Sequence, residues 1–249
     1  MRSRPLGCAH EPSASKHSRR NSSRWFSSSE SAAIGDIKSE TAAATLLRLL
    51  DSQMKRELSP AIELDVLEAA RRVSGNDSAT ARTIQERLAM REALLQTSAD
   101  AVERRRECLE GGDAARGKKV YFEKADVGCV KCHLVPGYGG AVGPDLKGLI
   151  AKKDRRYILE SILAPDRAVA EGFETTVVFQ KDGQVATGVL KEETETTLRL
   201  LDGEARPFLI EKARIQSRTR GPSAMPEDIA TKLSPSELRD VVEYVASLR

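Results

Sequence analysis

Five consecutive residues, Cys129-Val130-Lys131-Cys132-His133, constrain this chain more than any other stretch. Two thiols three residues apart on one turn can each add to a vinyl group of the same macrocycle, while the next residue swings its imidazole under a central iron. This is C-x-x-C-H, the attachment pattern for c-type haem, and all three groups must leave one tight turn. With four Cys and three His in 249 residues, the pattern arises by chance in roughly one shuffled sequence per thousand, so the match is informative by itself. A structural zinc site would want a second ligand pair, but the leftover Cys8 and Cys108 are far apart and the other histidines are His10 and His17. A dithiol redox pair stays conceivable, although no strand-then-helix setting precedes Cys129 and His133 is left without a role.

An iron held by one imidazole needs its other face assigned. His10 and His17 lie in a start segment poor in core-forming residues, so a second imidazole is not expected. Met1 is terminal, and Met54 and Met90 fall in a helical stretch where an unbranched thioether fills packing gaps. Met225 remains, in the loop Gly221-Pro222-Ser223-Ala224-Met225-Pro226-Glu227, stiffened by two prolines just before the final helix. A rigidly held thioether suits a metal ligand; the competing reading is a solvent-exposed loop methionine.

The rest of the composition limits what surrounds this motif. Aromatics are 4% of the chain, so the core must be built from Leu, Val, Ile and Ala, which favours helices over a large sandwich. No stretch approaches the roughly eighteen uncharged apolar residues of a membrane span. The 40 Lys+Arg against 37 Asp+Glu leave +3, without the basic bias that makes nucleic acid the default partner. Residues 1–36 hold ten Ser, six Arg or Lys and three acids, too little apolar surface to offset chain entropy, and are expected to be a disordered tail. Their Arg- and Ser-rich start loosely resembles an organelle transit peptide and lacks the apolar core of a secretory signal; a floppy tail or an untranslated upstream extension is the plainer reading.

Residues 37–111 are expected to form a small helical bundle. Leu46, Leu47, Leu50 and Met54 share helical spacing; Ser59-Pro60 starts a second helix with the stripe Ile62, Val66, Ala69, Ala70 and Val73; Gly75-Asn76-Asp77 ends it. A third helix carries Ile84, Leu88 and Leu95, and Ser98 is a candidate cap for a short fourth one ending near Cys108, itself expected to be a small buried hydrophobe. The paired helices look HEAT-like, although no period repeats clearly. Gly111-Gly112 closes this segment, and Asp113 can cap the helix that leads through Gly117 and Phe122 to the Cys-rich turn. Tyr157 to Leu163 predicts another helix. Beyond Pro165, alternation at 173–179 and 184–190 around the Asp182-Gly183 turn, with short runs at 196–201, 207–210 and 213–216, predicts a small β-barrel of about five strands.

Taken in order, Gly117 to Phe122, the C-x-x-C-H turn, Gly143-Pro144-Asp145-Leu146, the Met225-Pro226 loop and the helix from Ser236 to Leu248 resemble a class I cytochrome c. The run from Leu109 onward is similar to the haem-binding domain of planctomycete and verrucomicrobial type, usually the C-terminal part of large envelope-associated dehydrogenase-like proteins. That resemblance covers somewhat over half the chain. It implies thioethers at Cys129 and Cys132, His133 as proximal and Met225 as distal ligand. It also implies that the carbonyl of Pro144, 11 residues after His133, accepts the imidazole Nδ1–H. Gly117 and Tyr244 would mark the crossing of the first and last haem-domain helices. The architecture expected is therefore mainly α: a HEAT-like segment (37–111), then a cytochrome c-like haem domain (112–249) with an inserted β-barrel module (172–219).

The function expected is that of a mono-haem c-type cytochrome relaying single electrons to a redox partner protein or dehydrogenase domain, with one covalent haem c and no substrate of its own. Haem attachment of this kind implies a periplasmic or cell-envelope location, although no signal peptide is visible. Two other readings stay open: a five-coordinate, peroxidase-like or ligand-binding haem protein, and a non-redox interaction module.

Overall fold

The Cys-rich motif begins just past the midpoint of a chain whose structure, a computed structural model, describes residues 40–75 and 78–248. The expected tail at 1–36, with Cys8, His10 and His17, and the turn residues Asn76 and Asp77 lie outside the described residues.

Three helices open the described chain: α1 (Glu40–Met54), α2 (Pro60–Val73) and α3 (Ala79–Gln96). Their starts follow from capping. The Ser59 side chain accepts from the Ala61 N–H with Pro60 at the first helical position, and the Ser78 side chain accepts from the Ala81 N–H. Leu50, Ile62, Val66, Leu67 and Ile84 meet in one cluster between them. Together they make one three-helix unit. Met90 is not a gap filler: it is 54% exposed. The short α4 (Ala101–Arg104) is capped by Asp100, whose carboxylate accepts from the Val102 and Glu103 N–H groups; Ser98, expected in that role, instead accepts from the Asp100 N–H. The following turn, Arg106–Cys108, buries Cys108 completely, and burial pushes its thiol up to about 12.

The second region is built on α5 (Ala114–Glu123), α6 (Cys129–Cys132), α7 (Leu146–Ile150), α8 (Arg155–Leu163) and, at its end, α9 (Pro235–Ala246). Asp113 caps α5 as expected, and Ser234 with Glu237 forms a capping box on α9. The two helices cross at Gly117, where an added Cβ would stand 1.9 Å from the Asp240 carbonyl oxygen and 2.8 Å from the Tyr244 Cβ. Only a residue without a side chain permits this approach, and Tyr121 packs on Tyr244 beside it with ring centroids 5.4 Å apart. Gly117→Val is therefore expected to cost about 2–3 kcal/mol, the scale of an overpacked core, read as a lower urea midpoint; an unchanged midpoint would mean the crossing is not tight.

Helical segment and haem-type region are joined by buried charge. Arg239 on α9 grips Asp65 on α2 through two nitrogens at 3.1 and 3.2 Å. Inside the helical segment, Arg106 pairs with Glu63 at 3.2 Å and Arg91 with Glu107 at 2.7 Å. Burial outweighs Arg106 and pushes the Glu63 carboxyl above its usual range.

Between α8 and α9 stand five antiparallel strands, β1 (Thr175–Gln180), β2 (Val185–Glu193), β3 (Thr197–Leu201), β4 (Pro207–Glu211) and β5 (Ile215–Arg220), in the order β4-β3-β2-β1-β5. The β1–β2 hairpin turns at Asp182-Gly183, where the Gly183 N–H donates to the Gln180 carbonyl. Val178, Leu198, Leu200 and Ile210 form the module's own core. The fifth strand runs later than expected, because residues 212–214 form a turn that carries the chain from one sheet edge to the other. Among the described residues β4 and β5 are edges and form no ladder with each other, so the backbone makes a sheet rather than a hydrogen-bonded closed barrel.

Candidate functional site

The Cys-rich turn is shaped by its own backbone. The His133 N–H donates to the Cys129 carbonyl at 3.0 Å and the Lys131 N–H to Gly128, which fixes both cysteines and the histidine on one turn. The chain then doubles back: Gly140 donates to the Val130 carbonyl and Gly143 to that of Cys132. The Tyr121 hydroxyl donates to the His133 carbonyl at 2.8 Å, tying the turn to α5.

His133 is held from below. Its Nδ1 lies 3.1 Å from the Pro144 carbonyl oxygen. A carbonyl only accepts, so the contact is a hydrogen bond for the tautomer protonated at Nδ1, which leaves the Nε2 lone pair available. Gly143 permits the packing: a Cβ there would stand 2.6 Å from the ring's Cε1. Burial holds the imidazole below its ordinary pKa, with the Pro144 contact acting the other way, so the neutral, ligating form is favoured.

Cys129, Cys132, His133, Pro144 and Met225 all line one cavity of about 430 Å³, within the range of cofactor sites. The rest of the wall is mostly apolar, with Val142, Leu146, Ile150, Ile158, Ile162 and Val245 among its members and Asp126, Lys131, Ser161 and Ser223 as polar exceptions. Met225 enters on a pinned loop: its N–H donates to the Ser223 hydroxyl at 3.2 Å, and the Ser223 N–H donates to Asp166. All five residues named from sequence are thus brought together. The sequence reading missed the part of the cavity wall that Phe173 and Gly203 supply from the inserted region and Val169 from the segment just before it; no local pattern announces them.

This lining fits a flat apolar macrocycle with a central iron. It offers two thiols for covalent attachment, an imidazole and a thioether as donors, and, among the described residues, no buried lining side chain with an unpartnered polar atom. It suits the rivals less. Burial pushes the Cys129 thiol up to about 11 and raises Cys132 as well, opposite to what a nucleophilic dithiol needs. Among the described residues no three His, Cys, Asp or Glu converge as a metal-ion site, so zinc lacks its donor set.

Comparison with known proteins bears on the same stretch. No curated protein matches the chain. Residues 114–195, about a third of the chain, do match the model of the Cytochrome c family, from the first residue of α5 through the attachment turn and Pro144 into the inserted strands, which supports a c-type cytochrome.

Proposed function

We propose that residues 112–249 form a mono-haem c-type cytochrome domain that relays single electrons, holding haem c through thioethers at Cys129 and Cys132 with His133 and Met225 as axial ligands. The observation that carries this reading is the convergence of those four side chains on one mostly apolar cavity. Bound haem c would supply a one-electron ferric/ferrous couple. The chain's own residues account for the rest. The Pro144 carbonyl orients His133, the Tyr121 hydroxyl anchors its backbone, and the Asp166-Ser223 contact holds the Met225 loop. The mostly apolar lining would keep water from the bound group, and His133 and Met225, if both hold it, would leave no donor position for a substrate. The partner would be a redox protein or a dehydrogenase, and the location extracytoplasmic, where such attachment takes place; no described helix is long and apolar enough to cross a membrane.

A pyridine haemochrome spectrum tests covalent haem directly. The unmutated protein should keep its haem through acid extraction, and Cys132→Ala, left with at most one thioether, should give a shifted haemochrome band. Complete extraction of haem from the unmutated protein would sink the proposal.

A further inference from the structure

The inserted sheet contributes to the haem-type cavity as well as standing beside it. Phe173, in the segment leading into β1, and Gly203, in the β3–β4 turn, both line it. Over the Phe173 ring stands Lys191 of β2, which does not itself line the cavity, its Nζ 3.7 Å from the ring centroid and 3.4 Å from the Gly172 carbonyl oxygen. Lys191 owes that position to an irregularity in the sheet. The β2–β3 register shifts between Leu190 and Glu192, so Lys191 occupies a bulge. Bulges re-aim a side chain that regular pleating would send elsewhere, and they recur beside functional sites.

We propose that Lys191 is a potential-setting residue, an ammonium held one aromatic ring away from the haem cavity that favours the reduced state of the bound group. This inference rests on the haem reading above. Ferric haem carries one more positive charge than ferrous haem, so a fixed cation nearby disfavours the oxidised form. The effect needs a charge that water does not screen. Lys191 is half-buried and, among the described residues, no carboxylate lies within ion-pairing distance of it. Its burial also pushes its pKa below the ordinary lysine value, consistent with an ammonium drawn partly out of water. Lys131, which also lines the cavity, is exposed to solvent, where its field is damped. The ring of Phe173 serves as the holder, since a cation over an aromatic face is attracted to it. In this way the inserted module, which supplies neither axial ligand nor thioether, acts on the redox equilibrium.

The test uses the full-length holo-protein in spectroelectrochemical titration. At the midpoint potential of the unmutated protein, reduced and oxidised forms are equal. Lys191→Met, which keeps the stem and removes the charge, should lower the reduced-to-oxidised ratio there by about three- to tenfold, the scale of one charge across a partly desolvated wall. Lys191→Gln should fall similarly and guards against a packing defect peculiar to Met, whereas Lys191→Arg should stay within about twofold of the unmutated ratio. An unchanged ratio in both neutral variants, with haem covalent and the spectrum low-spin, overturns the proposal while leaving the haem reading intact. A fall in Lys191→Arg as large as in Lys191→Met overturns it too, because shape rather than charge would then be responsible. Absence of covalent haem from the unmutated protein overturns the parent reading instead, and this inference with it.

Discussion

Asp65→Ala is expected to cost about 3–5 kcal/mol of folding stability, because it leaves a buried guanidinium without its carboxylate. The Arg239 side chain is only 6% exposed and Asp65 11%, so water cannot take over the lost hydrogen bonds. The pair bridges 174 residues of sequence, linking the second helix of the opening bundle to the last helix of the haem-type region. A loss on this scale should therefore lower the urea midpoint of both regions together, read by far-ultraviolet circular dichroism and by haem absorbance. Arg239 also sits one residue before Asp240, whose carboxylate accepts from the Asp113 N–H at 2.7 Å and from Arg116 at the start of α5. Disturbing Arg239 loosens the helix crossing as well as the joint. The control is the double change Asp65→Leu with Arg239→Met, expected to recover most of the loss, since apolar side chains of similar volume carry no desolvation penalty. An Asp65→Ala midpoint equal to that of the unmutated protein would mean the two regions are held together by something else.

The same joint explains which parts of the molecule the sequence disclosed. The attachment turn and the caps at Ser59 and Asp113 are legible because each is specified by a few adjacent residues, and the helix crossing at Gly117 was implied by the family resemblance; the capping box at Ser234 was not read, the last helix having been started at Ser236. Asp65 and Glu63 were not legible as buried groups. They fall among charged residues on a helix with one clear apolar stripe, and only the arrival of Arg239 and Arg106 from elsewhere makes their burial tolerable. Strand β5 was displaced in the reading for a related reason. It reads Ile-Gln-Ser-Arg-Thr-Arg, with every residue after Ile215 exposed, so an edge strand paired on one side carries no alternation to detect. Of the site, the residues with donor chemistry were legible, being rare types in distinctive settings. The part of its wall from the inserted region was not, because Phe173 and Gly203 are ordinary residues that reach the cavity only once the sheet has folded.

Met225→Ala should convert the proposed haem centre from low-spin to high-spin and open it to carbon monoxide or cyanide. The thioethers at Cys129 and Cys132 and the ligand His133 are untouched by this change, so haem should remain bound in full. Among the cavity's lining residues only His133 and Met225 carry an imidazole or thioether, and Met90 is exposed on α3, where its sulfur lies 3.6 Å from an Arg87 nitrogen. The potential should fall by something on the order of 0.1 V, because a thioether favours ferrous iron and axial ligation is a main lever on haem potentials. Spin state separates this effect from that of Lys191, whose neutral variants should shift the potential with the low-spin spectrum unchanged. Changes at Pro222 and Pro226 should matter less than loss of the sulfur itself, since they position the loop and Ser223 still ties it to Asp166. Asp166→Ala is informative here, for it frees the loop while keeping the thioether, and a mixed-spin spectrum is the expected sign of a ligand that visits the iron only part of the time. If Met225→Ala stays low-spin with an unchanged potential, another group ligates the iron. Lys147 at the start of α7 is then the residue to replace next, because a lysine can also hold iron low-spin.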